Sequence, residues 1–142
     1  MSDHKILLVE DNEDDAFLMK RALKEAGVVN PLVHVEDGKE AIDYLQGEGK
    51  FADRDAYPIP AVVFLDLKLP LKTGHEVLAW IRKQEELKSV VVVVMTSSNE
   101  PSDLSKSYEL GANSYVVKPP TPEQLKAMAL AFKWYWLEFN RF

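Results

Sequence analysis

Five short apolar runs recur along this chain, and a stretch with helical patterning follows each of them. The runs span residues 6–9, 32–35, 61–65, 90–95 and 114–117. They are rich in Val, Ile and Leu and scarcely alternate with polar residues, which is typical of strands that are covered on both faces. A strand–helix unit repeated five times predicts a doubly wound α/β domain, in which helices lie on both faces of a parallel sheet.

Helix signals fill the intervals between these runs. Residues 16–26 place apolar side chains on one helical face, and Gly27 follows as a stop signal. The last helix begins at Thr121, which can act as its N-cap, while Pro122 suits the first helical position and Gln124 can complete a capping box. Further helices are predicted at residues 39–45, 76–83 and 102–110, and residues 46–60 form a long polar loop.

Composition narrows the class of protein. The chain has 142 residues, of which 46% are hydrophobic, and this suits one domain over residues 1–142 with a real core. A net charge of −6 leaves no domain-wide basic surface, so we expect no direct binding of nucleic acid. The absence of cysteines excludes disulfides and zinc–thiolate sites. Without a signal peptide or an apolar run of the ~20 residues that a membrane-spanning helix needs, we expect a cytoplasmic protein.

Polar side chains stand where four of the predicted strands end. Glu10 and Asp11 follow the first strand, Asp66 follows the third, Thr96 follows the fourth and Lys118 follows the fifth. Ligands of parallel α/β sheets bind beyond the carboxyl ends of the strands, at the switch in strand order. We therefore expect three carboxylates, one hydroxyl and one ammonium to converge at one edge of the sheet.

This set of groups indicates phosphoryl chemistry. Three neighbouring carboxylates raise one another's pKa values unless a cation lies among them, and Mg²⁺ accepts both carboxylate and phosphate oxygens. Lys118 suits a phosphoryl group as a point charge, and Thr96 offers a neutral donor. Since a carboxylate is a competent nucleophile that forms an acyl phosphate, the pattern predicts a Mg²⁺ site that holds a transferred phosphoryl group on Asp66.

Four motifs occur in order along the chain, as LLVEDN, LDLKLPLKTG, VVVMTS and GANSYVVKPP. With these motifs the sequence resembles the receiver domains of response regulators in bacterial two-component signalling, and the likeness extends over residues 4–139. It implies a flavodoxin-like fold with strand order 2-1-3-4-5 and a single receiver domain with no output domain. It also implies a phosphoacceptor that assists its own phosphorylation and dephosphorylation, rather than an enzyme, with a sensor histidine kinase as partner.

Roles around the phosphoryl group follow from this resemblance. Asp66 corresponds to the phosphoacceptor, and Thr96 and Lys118 correspond to the pair that contacts the phosphoryl group. Thr96 and Tyr115 correspond to switch residues that move inward on phosphorylation and alter the surface formed by the fourth helix, the fifth strand and the fifth helix. The bond between Lys118 and Pro119 is expected to be cis.

The resemblance also implies a metal site. Glu10, Asp11, Asp66 and the backbone carbonyl of Lys68 correspond to the ligands of Mg²⁺. Lys68 and Ser98 border the path of the hydrolytic water, at positions that influence how long the phosphoryl group lasts. The acidic residues 13–15 lie in the first turn of a helix, and a favourable interaction with the helix dipole explains them without a site.

Three further features are the long loop 46–60, the EPSDL opening of the fourth helix and the aromatic C-terminus. In these features the chain resembles the small response regulators associated with cyanobacterial and bacterial phytochromes. This resemblance implies a light-regulated histidine kinase as partner and an unidentified downstream protein.

The last helix carries apolar side chains on two faces. Phe132 and Phe139 are expected to face the sheet, with Trp134 and Tyr135 off that face. A helix that is apolar on two faces is either deeply buried or paired with a partner, and aromatic side chains are favoured interface anchors. We therefore expect a homodimer through the fourth helix, fifth strand and fifth helix.

Two other functions remain open at the level of the residues. A Mg²⁺-dependent phosphatase with an aspartyl nucleophile places a second Asp two residues after the nucleophile, where this chain has Lys68. A receiver-like binding module that is never phosphorylated usually lacks the acid pair, the acceptor or the lysine, whereas all of these are present here.

Overall fold

Five parallel strands form one sheet with the order β2-β1-β3-β4-β5. The computed structural model describes residues 4–119 and 121–141, so residues 1–3, 120 and 142 of the predicted domain lie outside the described part. The strands are β1 (Ile6–Val9), β2 (Leu32–Val35), β3 (Val62–Leu65), β4 (Val91–Thr96) and β5 (Ser114–Val117). The doubly wound fold and its strand order are confirmed.

Each strand is followed by a helix, and the first four helices begin earlier than their apolar patterns indicate. The helices are α1 (Glu13–Glu25), α2 (Gly38–Gln46), α3 (Gly74–Lys83), α4 (Pro101–Glu109) and α5 (Pro122–Phe132). Polar caps explain the early starts of α1 and α2, because the side chains of Asn12 and Asp37 accept hydrogen bonds from the backbone N–H groups of Asp15 and Glu40. Thr73 and Glu76 form a complete capping box at the start of α3.

Two apolar clusters lie on opposite faces of the sheet. The strand residues Leu7, Val63 and Val92 pack with α2 and α3 on one face. Their neighbours Leu8 and Phe64 pack with α1 and α5 on the other face. Successive side chains along each strand therefore pack into the apolar clusters on the two faces of the sheet in turn, which is why the strand sequences are apolar throughout.

The strand register brings the ends of the strands together. Val9 pairs with Leu65, so Glu10 and Asp66 leave the sheet side by side. Thr96 pairs with Val117, so Lys118 leaves the sheet immediately after the last pair of β4 and β5. The carboxyl edge of the sheet is thus the place where polar groups from distant parts of the sequence meet.

Gly74 allows the loop after β3 to close tightly behind Asp66. A Cβ atom at residue 74 would overlap the carbonyl oxygen of Asp66 and lie 2.6 Å from the Cα atom of Leu67. The N–H of Gly74 donates to the carbonyl of Leu67 at 2.9 Å. The close approach fixes where the chain turns after the predicted acceptor, and only glycine fits it.

The C-terminal segment departs from the predicted α-helix. Residues Lys133–Phe139 form a π-helical segment that continues α5. A π-helix has more residues per turn than an α-helix, so the side chains that face the sheet change. Leu137 is buried, whereas Phe139 is 71% exposed, so the expectation that Phe139 packs on the sheet was wrong. Trp134 and Tyr135 are exposed, as expected.

None of the helices in residues 4–119 and 121–141 is both long enough and apolar enough to cross a bilayer.

The loop between α2 and β3 is held by Arg54, whose guanidinium donates to the carbonyls of Tyr44, Leu45 and Tyr57. This loop therefore has a fixed path despite its polar sequence.

Candidate phosphoacceptor and metal site

Three carboxylates meet at the carboxyl edge of β1 and β3. Glu10 and Asp66 are buried, and Asp11 is exposed. One oxygen atom from each of these residues lies within 4.8 Å of the other two, close enough to share one cation. The N–H of Asn12 donates to Oε2 of Glu10 at 3.2 Å, which orients that carboxylate. The sequence-predicted acid cluster is therefore assembled in the folded chain.

Lys118 reaches into this cluster from the end of β5. Its Nζ atom lies 2.7 Å from Oε1 of Glu10 and 3.0 Å from Oδ2 of Asp66. It also lies 2.7 Å from Oδ2 of Asp15, in the first turn of α1. The ammonium thus contacts three carboxylates and offers one N–H to each of them.

Burial and charge shift two pKa values within the cluster. Burial raises the pKa of Glu10 to about 7, the hydrogen bond from Lys118 opposes this rise, and the charge of Asp66 adds to it. Burial lowers the pKa of Lys118, but its bonds to Asp15, Glu10 and Asp66 outweigh burial and hold that pKa above its usual range. Lys118 is therefore a cation at neutral pH, whereas the raised pKa of Glu10 leaves its carboxyl group only partly ionised there.

The donor set fits Mg²⁺. Glu10, Asp11 and Asp66 offer only oxygen, the ligand atom that hard divalent cations prefer. Lys118 is one cation against these three carboxylates and Asp15, so the site carries excess negative charge. The backbone N–H of Lys68 donates to Oδ1 of Asp66 at 3.3 Å, and the Lys68 carbonyl as a metal ligand stays a prediction.

Thr96 and Tyr115 meet at the backbone of Ser98. Thr96 is fully buried, and its hydroxyl oxygen accepts a hydrogen bond from the Ser98 N–H at 3.4 Å. The hydroxyl of Tyr115 donates to the Ser98 carbonyl at 2.9 Å. The hydroxyl of Tyr115 therefore lies beside the end of β4, the side toward which the predicted switch would move. Its role as a switch stays a prediction.

A chain of hydrogen bonds runs from Ser98 to α3. The Ser98 hydroxyl donates to Oδ2 of Asp103 at 2.6 Å, and the Ser107 hydroxyl donates to the Asp103 carbonyl at 2.8 Å. Nε2 of His75 lies 2.9 Å from the Ser107 oxygen, whose proton is already engaged, so Nε2 is the donor. Burial lowers the pKa of His75, which favours the neutral ring.

The expected cis bond between Lys118 and Pro119 is absent. No peptide bond among the described residues is cis, so that expectation was wrong. The trans form is intrinsically favoured by about 0.5–1 kcal/mol for bonds that precede proline. Lys118 contacts Asp66 with this bond trans.

Asp15 and His34 contact the site although the sequence analysis gave them no role there. The helix dipole accounted for Asp15, but its carboxylate also binds Lys118. A signal was available, because α1 starts at the carboxyl edge and its first turn must lie there. Nε2 of His34 lies 2.8 Å from the backbone carbonyl oxygen of Glu10, a contact that helps to fix the backbone at the acid pair. No sequence pattern indicated this contact.

The sequence matches the response regulator receiver domain family over residues 6–130. The chain belongs to this family. This receiver domain is 42% identical over 139 residues to FilR2 of Methanothrix harundinacea, a probable methanogenesis regulatory protein, covering 96% of this chain and 85% of FilR2. It is 38% identical over 133 residues to the response regulator Rcp1 of Synechocystis sp., covering 94% of this chain and 88% of Rcp1.

Solved structures give the same result. The phosphorylated cyanobacterial phytochrome response regulator RcpA superposes with a TM-score of 0.90 at 38% identity, covering 98% of this chain and 97% of RcpA. The Mn²⁺-bound form of Rcp1 gives a TM-score of 0.87 at 37% identity, covering 97% of both chains. The predicted resemblance is confirmed: the protein is a receiver-domain response regulator of two-component signalling, close to phytochrome response regulators.

Proposed function

We propose that this receiver domain accepts a phosphoryl group on Asp66 from the phosphohistidine of a sensor histidine kinase. One observation carries the proposal: the buried Asp66 carboxylate lies 3.0 Å from the Lys118 ammonium and shares a cation-sized oxygen cluster with Glu10 and Asp11. The family membership and the likeness to phosphorylated RcpA support it.

The transfer is a displacement at phosphorus. An oxygen of the Asp66 carboxylate forms the new P–O bond while the P–N bond to the kinase histidine breaks, and the imidazole leaves with the electron pair. Lys118 neutralises charge on the phosphoryl oxygens, and Thr96 donates a hydrogen bond to one of them. Positioning and charge neutralisation are most of what this reaction needs from a protein.

Mg²⁺ is the cofactor in this proposal. Glu10, Asp11, Asp66 and the Lys68 carbonyl would hold it, and the bound cation would neutralise negative charge on the phosphoryl oxygens. The Mn²⁺-bound structure of the relative Rcp1 supports a divalent cation in this family.

The signal would leave through the face of α4, β5 and α5. This face exposes apolar side chains from each element, among them Leu104, Val117 and Leu130. Tyr108 on α4 accepts a hydrogen bond from the Tyr115 N–H at 3.1 Å, so the switch residue is tied to this face. We propose that the face binds a second copy of the chain and an unidentified downstream protein.

The kinase partner in this proposal is a phytochrome-type histidine kinase, and the reaction takes place in the cytoplasm. RcpA is a phytochrome response regulator, and its likeness to this chain extends over nearly the full length of both. No observation favours the phosphatase alternative, since the position two residues after Asp66 is an exposed lysine.

Phosphotransfer from such a kinase tests the proposal. A bacterial phytochrome kinase labelled on its histidine is mixed with the full chain and Mg²⁺, and loss of label from the kinase is followed over seconds to minutes. We expect rapid transfer to the wild type and none to Asp66→Asn. Equal transfer to both proteins, or retention of label by every kinase in a panel that includes phytochromes, contradicts the proposal.

A further inference from the structure

The third carboxylate on Lys118 belongs to a residue outside the set that the reaction uses. Nζ of Lys118 lies 2.7 Å from Oδ2 of Asp15, as close as it lies to Glu10 and closer than it lies to Asp66. Residues 15 and 118 are 103 positions apart in the sequence, so the fold alone brings them together. The bond links α1 directly to the end of β5.

Among the partners of Lys118 in the described part of the chain, Asp15 is the one whose state the proposed reaction leaves unchanged. Asp66 becomes an acyl phosphate when it takes the phosphoryl group. Glu10 belongs to the oxygen cluster that fits a cation, and among the described residues Asp15 is not part of that cluster. When Asp66 carries the phosphoryl group and Glu10 binds a metal cation, Asp15 remains to hold the Lys118 ammonium in place.

The first turn of α1 fixes the position of Asp15. Its N–H donates to the side chain of the N-cap Asn12 at 2.9 Å. The next residue, Ala16, is buried against the sheet, and its N–H donates to the Asn12 carbonyl at 3.0 Å. The carboxylate therefore projects from a capped and packed helix end rather than from a loop.

We propose that Asp15 is a positioning residue that holds the Lys118 ammonium at the acceptor throughout phosphorylation, an inference that rests on the proposed function. A lysine has a flexible four-carbon stem, and it loses freedom each time it is recruited to a phosphoryl oxygen. An ammonium that is already anchored at one N–H reaches the phosphoryl group without that loss.

Asp15 also carries a negative charge near the incoming phosphoryl group, and this charge acts in the opposite direction. The Asp15 side chain is 40% exposed, so solvent and salt screen its long-range repulsion. The 2.7 Å hydrogen bond is short-ranged and is screened much less. We therefore expect positioning to outweigh repulsion, so that removal of the Asp15 carboxylate slows phosphorylation. Faster phosphorylation after its removal would show that repulsion dominates.

Three variants of the full chain test this assignment. Asp15→Ala removes the acceptor, Asp15→Asn keeps one acceptor oxygen in the same place, and Asp14→Ala is the matched control. Asp14 has the same charge in the same helical turn, and it is exposed. The readout is the rate of phosphorylation by acetyl phosphate with Mg²⁺, followed by intact mass. A parallel calorimetric titration with Mn²⁺ and no phosphodonor measures metal affinity.

We expect Asp15→Ala to slow phosphorylation about tenfold, the effect of one charge-assisted hydrogen bond. Asp15→Asn should recover most of the rate, and Asp14→Ala should match the wild type. Mn²⁺ affinity should change by less than about threefold in each variant, since Asp15 is outside the metal cluster. In a Lys118→Ala background, Asp15→Ala should have no further effect, because its target is gone.

Each result bears on the assignment. A rate for Asp15→Ala that equals or exceeds that of Asp14→Ala overturns it, and so does an equal loss with and without Lys118. A wild-type chain that takes no phosphoryl group overturns the proposed function instead and removes this inference with it. Labelled wild type with an unaffected Asp15→Ala removes the positioning role alone.

Discussion

The Lys118 ammonium and the Asp66 carboxylate meet at 3.0 Å although 52 positions separate them in the sequence. The register of β3, β4 and β5 makes this contact, since each residue leaves its strand at the same edge of the sheet. Both residues also contact a larger acidic cluster. Their meeting is the geometric basis of the proposed phosphoryl transfer.

Divalent-cation affinity should depend on pH through Glu10. Burial raises the pKa of Glu10 to about 7, and a metal binds only the ionised carboxylate, so protons compete with the metal below that pH. We expect Mg²⁺ affinity to fall about tenfold between about pH 8 and about pH 6. Calorimetric titration with Mg²⁺ at both pH values measures this change.

Glu10→Gln is the control for this prediction. It keeps the shape of the side chain but has no proton to lose, so its weaker Mg²⁺ affinity should vary less with pH than that of the wild type. An identical pH dependence in both proteins would assign the titration to another group.

Arg82 should contribute strongly to stability. Its guanidinium donates to the carbonyls of Gly111 and Val90 at 2.9 and 2.8 Å and to Oδ1 of Asn113 at 2.8 Å. Since Asn113 Oδ1 also accepts from the Val92 N–H, one side chain ties α3 to the start of β4 and β5. Arg82→Ala should lower the free energy of unfolding by about 3 kcal/mol, measured by urea denaturation.

Arg21→Ala serves as the comparison for Arg82. Arg21 pairs with Glu25 on the surface of α1, where solvent screens the interaction, so its loss should leave the urea midpoint nearly unchanged. Equal effects of the two substitutions would show that the network at Arg82 contributes no more than a surface pair.

His75 should make stability decline at mildly acidic pH. Burial lowers its pKa in the folded chain below the ordinary value of 6.5, so the unfolded chain takes up the proton first. The contribution is fully present above pH 6.5 and is lost as the pH falls from 6.5 through the lowered folded pKa. His75→Gln keeps a donor for Ser107 and should lose less stability over that window in thermal melts, whereas parallel declines would exclude His75 as the cause.

The face of α4, β5 and α5 should mediate self-association. Leu104 on α4 is 41% exposed, and a charge placed there would have to be desolvated in an interface. Leu104→Lys should weaken the dimer at least about tenfold in sedimentation velocity or light scattering. Phe17→Lys, on the exposed side of α1, should leave association unchanged. Loss of the dimer in Phe17→Lys but not in Leu104→Lys would show that the interface lies on α1 instead.

The elements and the acid cluster could be predicted because both follow from simple patterns. Doubly covered strands must be apolar throughout, which marked all five strands to within one residue at each end. Parallel strands share a carboxyl edge, so the meeting of Glu10, Asp66 and Lys118 could be predicted from the sequence.

Other features depend on tertiary contacts that leave no local signal. The dipole of α1 already explained an acidic residue at position 15, so the bond between Asp15 and Lys118 was not predicted. Helical periodicity assumes 3.6 residues per turn, and the π-helical segment Lys133–Phe139 breaks that assumption. Arg82 reads as an ordinary charge near a helix end, and its partners on a later loop cannot be inferred from spacing.

Site-specific labelling of Asp66 tests the central claim most directly. The full chain is incubated with acetyl phosphate and Mg²⁺, and the intact mass and the modified peptide are measured by mass spectrometry. Asp55→Asn, in the exposed loop before β3, controls for removal of a carboxylate elsewhere. The account predicts one phosphoryl group per chain, on Asp66, in the wild type and in Asp55→Asn, and none in Asp66→Asn or after chelation of Mg²⁺. Undiminished labelling of Asp66→Asn, or labelling of the wild type at any other residue, would contradict it.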